Sequence, residues 1–211
     1  MCNRFRQVKT KENLSLIFEA RDLIGGEMLE GDRYPSSRTT MRLGFVVRKQ
    51  EGERVLDALP WGVPASIKTP TGGRKLTWVT NVRNLTSGHW RSALSNPVNR
   101  CLVPFTSFAE PKPGMGGDGR PACWWFNLPS SDVAAFAGIW RSYTVDHKGE
   151  LLTGVAFAFL TCEPNPLVKP LHSKAMPVIL QPEDYDTWLD ADTDSACSLA
   201  QPFPSQLMAV A

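Results

Sequence analysis

Leu14, Ile17 and Phe18 recur at helical spacing in the segment 10–23, with the aliphatic stem of Arg21 continuing the stripe. Thr10 can cap the start and Gly25-Gly26 ends the pattern, so one amphipathic helix is expected soon after the amino terminus. The period then changes. Leu43, Phe45 and Val47 alternate with smaller or polar residues, Gln50-Glu51-Gly52-Glu53 reads as a turn, and Val55, Leu56 and Leu59 follow, which predicts a hairpin. Further strands are expected over 76–82, 101–108, 122–128, 133–143, 151–162, 176–180 and 206–210, with short helices over 87–94 and 182–189.

Many short strands, frequent turn signals and few helices point to an α+β chain. The expected architecture is a single domain over 1–211, with a mixed or antiparallel, β-rich, barrel-like core and a few short flanking helices. A chain of 211 residues is long enough for one substantial core. The stretch 111–121, with Gly114, Gly116, Gly117 and Gly119, is expected to be a surface loop between two strands.

Composition narrows the classes. With 42% hydrophobic and 21% charged residues, and no long apolar run or charged-then-apolar leader, the chain reads as soluble and cytoplasmic, with no membrane partner. Five cysteines, odd in number, widely spaced and without a CxxC pair, indicate neither a disulfide framework nor a zinc site. No metal, no cofactor and a monomer are expected. A net charge of +2 does not argue for nucleic acid by itself.

The chemistry starts at Cys2. Removal of Met1 leaves an α-amine and a thiol on one residue. An aldehyde meeting that pair forms an imine with the amine, and the thiol then closes a five-membered thiazolidine. The amine titrates near roughly 8 and the thiol near about 8.5, so both have a usable nucleophilic form at neutral pH. While Met1 remains, the Cys2 nitrogen is an amide and the imine cannot form.

Other segments carry polar groups in a recognisable order. Cys2-Asn3-Arg4-Phe5 opens the chain, Pro60-Trp61-Gly62 and Thr80-Asn81-Val82-Arg83 follow, and Phe108-Ala109-Glu110 ends a strand. Ala137-Gly138-Ile139-Trp140 comes next, then Phe159-Leu160-Thr161, Pro164-Asn165-Pro166 and Leu171-His172-Ser173-Lys174-Ala175-Met176-Pro177. Together these motifs resemble the SOS response-associated peptidase (SRAP) family of abasic-site processing proteins.

The resemblance implies that Cys2 bonds covalently to the aldehyde of an abasic site in single-stranded DNA and releases Met1 by self-processing. It implies an enzyme with peptidase and lyase-like chemistry, Glu110 as general acid and base, His172 as proton or hydrogen-bond donor, and Asn81 as an orienting group. Arg4, Arg83 and, more weakly, Arg91 are candidate phosphate contacts, since arginine grips phosphate oxygens in a forked geometry. If the strand over 76–82 continues, Asn81 and Arg83 share a face. Trp61 or Trp78 is a candidate for stacking on an unpaired base. The chain departs from the family at Asn3, where glycine is usual, at Pro111, where an aromatic is common, at Val63-Pro64-Ala65-Ser66 and at Tyr34-Pro35-Ser36-Ser37-Arg38. Two rival readings use the same residues: an amino-terminal-nucleophile amidohydrolase, and a single-strand binding module in which Cys2 is incidental.

Overall fold

The computed structural model describes residues 2–28, 30–117 and 119–211. Met1, whose self-removal is expected above, lies outside them, as does Asp118 of the expected loop.

β1 (Arg4–Gln7) buries Phe5 and Gln7 and leaves Arg4 and Arg6 partly exposed. α1 (Lys11–Ile17) is capped by Thr10, whose hydroxyl accepts from the Asn13 N–H at 3.2 Å. It ends at Ile17 with Phe18 as its cap, short of the expected 23, because Glu19 turns the chain with φ 50° and Arg21–Asp22 becomes β2, parallel to β5 (Glu53–Pro60). Strand hydrogen bonds with the next hairpin outweigh the helical pattern there. β3 (Gly31–Arg33) flanks β1.

The expected hairpin is present as β4 (Leu43–Gln50) and β5 (Glu53–Pro60), closed by Glu51 and Gly52 at φ 55° and 86°. The expected strand over 76–82 divides in two. β6 (Val63–Lys68) and β7 (Arg74–Val79) form a separate two-stranded hairpin, and β8 (Asn81–Val82) leaves it to run parallel to β13 (Glu150–Cys162).

α2 (Gly88–Leu94) leads to β9 (Arg100–Phe105), β10 (Ser107–Met115) and β11 (Pro121–Asn127). The expected loop 111–121 is therefore mostly strand: β10 continues through Met115 with an irregular register, because pairing with β11 satisfies backbone groups that a glycine-rich loop would leave to water. The long hairpin of β12 (Ala134–His147) and β13 (Glu150–Cys162) follows, then β14 (Met176–Pro177) and β15 (Ile179–Leu180). α3 (Tyr185–Asp190) follows a 3₁₀ turn, and α4 (Thr193–Ser198) is a helix that the periodicity did not announce. The last expected strand shrinks to β16 (Ala209–Val210) behind another 3₁₀ turn.

One sheet runs β14-β13-β12-β9-β4-β5-β2, with β15 on β12 and β8 on β13; the other runs β16-β11-β10-β1-β3. The result is a β-rich, mixed architecture with short flanking helices, curled around the core without closing into a barrel. Phe5, Trp61, Phe136 and Phe159 meet between the sheets, with Phe5 edge-on to Trp61 at 4.8 Å. Aromatic contacts of this kind add specific geometry to apolar burial, and here they fix β1 against the larger sheet.

Candidate active site

β1 carries the amino terminus along β10. Arg4 lies opposite Ala109, so the chain leaving β1 at its amino-terminal end passes Glu110. Cys2 is fully buried there, and its thiol donates to the Arg4 carbonyl at 3.4 Å. Burial above all, and then the charge of Glu110, pushes the Cys2 thiol well above its ordinary range.

Asn81 arrives from the other sheet. β8 pairs with β13, placing Asn81 opposite Phe159, and its side-chain Nδ2 donates to the Cys2 carbonyl at 3.1 Å and to Thr80 Oγ1 at 2.6 Å. Its Oδ1 is buried with no hydrogen-bond partner among the described residues. A buried acceptor in that state is costly unless a ligand or a rearranged donor meets it.

Glu110 has no exposed surface, and burial raises its carboxyl to about 7. His172 Nε2 stands 3.5 Å from Glu110 Oε2. Burial lowers the imidazole below its usual value, and Lys174 adds to that direction. The turn that presents His172 is built by Asn165, whose Oδ1 accepts from the Leu167 and Val168 N–H groups at 3.1 and 2.9 Å while its Nδ2 donates to Phe203 O at 2.7 Å. His172 N–H then bonds Val168 O at 2.8 Å. Four residues distant in sequence thus meet at one buried point: a thiol-bearing residue, an amide with an open acceptor, an acid whose proton affinity is raised and a base whose proton affinity is lowered.

The arginines are placed differently from one another. Arg4 is held by Asp32, with Nε to Oδ2 at 2.8 Å, and lies over the Trp125 and Tyr34 rings. Arg83 pairs with Glu163 and donates to Cys162 O at 2.6 Å. β8 ends at Val82, so Arg83 does not share the strand face of Asn81: Asn81 is buried and Arg83 exposed. Arg91 is exposed on α2. Trp61 is wholly buried and bonds Thr80 O through its indole N–H, which removes it as a stacking surface; Trp78 is partly buried on β7.

Two neighbours were missed in the sequence. Thr80 accepts from Asn81, and Trp124 lies directly across from Glu110 on β11, half-buried, with Lys112 Nζ 4.1 Å above its ring. The second was hidden because the residue across from Glu110 is set by the β10–β11 register, which the strand pattern alone does not give.

A family model described as SOS response associated peptidase (SRAP) matches residues 1–211. The chain belongs to the SRAP family. Three solved structures share the fold. A Bordetella bronchiseptica protein aligns with TM-score 0.73 at 21% identity, covering 100% of this chain and 98% of its own. A Bacteroides thetaiotaomicron protein gives 0.73 at 17% identity, covering 99% and 90%. A phage-related protein from Bordetella bronchiseptica gives 0.62 at 20% identity, covering 100% and 93%. No curated protein matches the chain. SRAP membership supports a DNA-damage-associated, abasic-site processing role in general terms. Among the described residues of this SRAP chain no cluster of three metal-ligating side chains occurs, and no helix is long and apolar enough to cross a membrane.

Proposed function

We propose that this SRAP chain captures abasic sites in single-stranded DNA as a thiazolidine on Cys2, after loss of Met1 frees the Cys2 amine. The observation that carries the reading is the convergence of Cys2, Asn81, Glu110 and His172 at one buried point.

The geometry suggests an order of steps. The thiol is held protonated by its surroundings, so the amine attacks first. An abasic sugar is mostly ring-closed, and opening it moves a proton. Glu110, with a carboxyl near 7, has both of its forms populated at neutral pH and suits that transfer. The freed aldehyde carbon takes the Cys2 nitrogen, water leaves, and an imine results. The thiol then adds to the imine carbon as its proton passes to the nitrogen, and the ring closes with atoms balanced. The open Asn81 Oδ1 is available to accept from the new amine, and His172 to bond the opened sugar. The same groups suit self-removal of Met1, which accords with the peptidase in the family name.

Arg83 and Arg91 are proposed as phosphate contacts beside the lesion, with Arg83 exchanging Glu163 for a phosphate. Arg4 would act there only by leaving Asp32. The proposed DNA-processing partner is abasic single-stranded DNA, with the chain acting as a monomer.

The test uses protein shown by intact mass to lack Met1, incubated with single-stranded DNA carrying one abasic site. A heat- and denaturant-resistant adduct is expected, absent with intact DNA and lost in Cys2→Ala, while Ser at Cys101, Cys123, Cys162 or Cys197 leaves it in place. A complex that washes out under denaturant, unaffected by Cys2→Ala, would favour the non-covalent binding module; turnover of small amides without an adduct would favour the amidohydrolase.

A further inference from the structure

Many of the chain's cations are matched to carboxylates. Arg4 and Arg6 share Asp32, Arg48 pairs with Asp57, Arg54 with Asp186, Arg38 with Glu150 and Arg83 with Glu163. Arg74 and Arg141 are among those outside these pairs. They line the same cleft, of about 440 Å³, between the β6–β7 hairpin and the outer half of β12. Arg74 donates only to Ser66, through Nε to Oγ at 2.9 Å and Nη2 to the carbonyl at 2.7 Å. Arg141 donates to the His89 and Ser142 carbonyls at 2.6 and 3.3 Å. Neither has an ion-pair partner among the described residues, and Asp146 is the one carboxylate on the wall.

Two guanidinium groups whose acceptors are neutral retain their full charge, and a concave wall concentrates their field. The tip of β7 also connects directly to the buried centre. From Arg74 to Asn81 the chain is largely extended, so at ~3.3 Å per residue the cleft lies no more than about 23 Å from Asn81. A strand running on from the buried centre by several nucleotides spans that distance.

We propose that this cleft holds the phosphodiester backbone of the DNA strand flanking the captured site, with Arg74 and Arg141 as its cationic contacts. The assignment rests on the Cys2 reading for which strand enters, but not for whether a strand binds. Arginine suits phosphate because its planar fork meets two oxygens at once. Of the residues offered for DNA by sequence, the fold pairs Arg4 and Arg83 with carboxylates, whereas Arg74 and Arg141 meet only neutral acceptors.

Binding of intact, non-abasic single strands of about 4 and about 16 nucleotides, lengths that bracket common single-strand footprints, is measured by fluorescence anisotropy across a salt series. Arg74→Ala/Arg141→Ala is expected to weaken the long strand roughly tenfold and make its log–log salt slope shallower by about 1.4, near 0.7 per lost phosphate contact. The short strand should change little. Asp146→Asn, which removes the opposing charge without cutting a side chain, should tighten the long strand and serves if the double variant is disturbed in folding. An unchanged slope and affinity in both proteins overturns the cleft, as does equal displacement of the long strand by inorganic phosphate at matched ionic strength and charge, which would make it a small-anion site. Adduct formation on a short abasic strand reports Cys2 separately. Normal adducts with unchanged slopes remove the cleft alone, and altered slopes without any adduct in the parent protein remove the Cys2 reading alone.

Discussion

Glu110 and His172 show how burial divides labour between two side chains 3.5 Å apart. The carboxyl binds its proton more tightly than in water and the imidazole less tightly. Because the pKa of Glu110 is raised on folding, its contribution to stability is complete below the ordinary 4.5 and is lost as pH rises through about 7. Glu110→Gln removes that dependence. Relative to the parent, the variant is expected to gain stability progressively above pH 4.5, reaching on the order of 3 kcal/mol at pH 8. Urea unfolding of both proteins at pH 5 and pH 8 checks this, and parallel profiles would mean the carboxyl is not desolvated. The same substitution should slow adduct formation and reversal by about 10² to 10⁴-fold, the range of general acid–base catalysis. His172→Ala should instead shift the pH profile of the reaction with a smaller loss of rate; parent rates in Glu110→Gln with a dead His172→Ala would exchange their roles. Cys2, Asn81, Glu110 and His172 were legible because each lies in a short ordered motif. Asn165 was visible in the same way, but its work as the clamp of the His172 turn was not, since the bond to Phe203 depends on a distant loop.

At the level of elements, periodicity located strands better than it located their ends. The β4–β5 hairpin followed from alternation and a turn whose two residues both adopt positive φ. α1 was read too long because Phe18 and Arg21 fit a helical stripe, yet Phe18 stacks on Tyr185 and Arg21 joins β2. β6 was missed because Val63-Pro64-Ala65-Ser66 has little strand signal of its own and is held by pairing with β7. The Ala137-Gly138-Ile139-Trp140 motif has a packing cause. A Cβ at Gly138 would stand 2.6 Å from Val103 Cγ2 and 2.8 Å from Cys101 Sγ on β9, and 3.1 Å from the Cys101 carbonyl. Gly138→Ala is therefore expected to cost about 1–3 kcal/mol through overpacking, read as a lower denaturation midpoint. Val103→Ala in the same background should recover part of the loss; a neutral Gly138→Ala would show that β9 and β12 separate freely.

For the molecule as a whole, sequence gave the class of fold but not its connectivity. The parallel pairing of β8 with β13 brings Asn81 to Cys2, and nothing local announces a two-residue strand joining a segment so distant in the chain. Net charge was equally silent: +2 describes a surface on which many cations are already matched. Arg83 tests whether such matching is a lock or a loan. If a phosphate takes the place of Glu163, then Glu163→Gln removes the competitor and leaves the guanidinium available, still anchored through Cys162 O. Intact single strands should then bind more tightly, because the parent must first break an ion pair that, at this exposure, is worth no more than about 1 kcal/mol. The gain is accordingly bounded near fivefold, and the salt slope of the variant should be steeper wherever the parent keeps Glu163 in place. Arg83→Ala should bind more weakly than either and show a slope shallower by about 0.7 than Glu163→Gln. Equal affinities and slopes in all three proteins would make Arg83 a fastener for the end of β13, and the phosphates flanking the lesion would then fall to Arg91 and the cleft arginines.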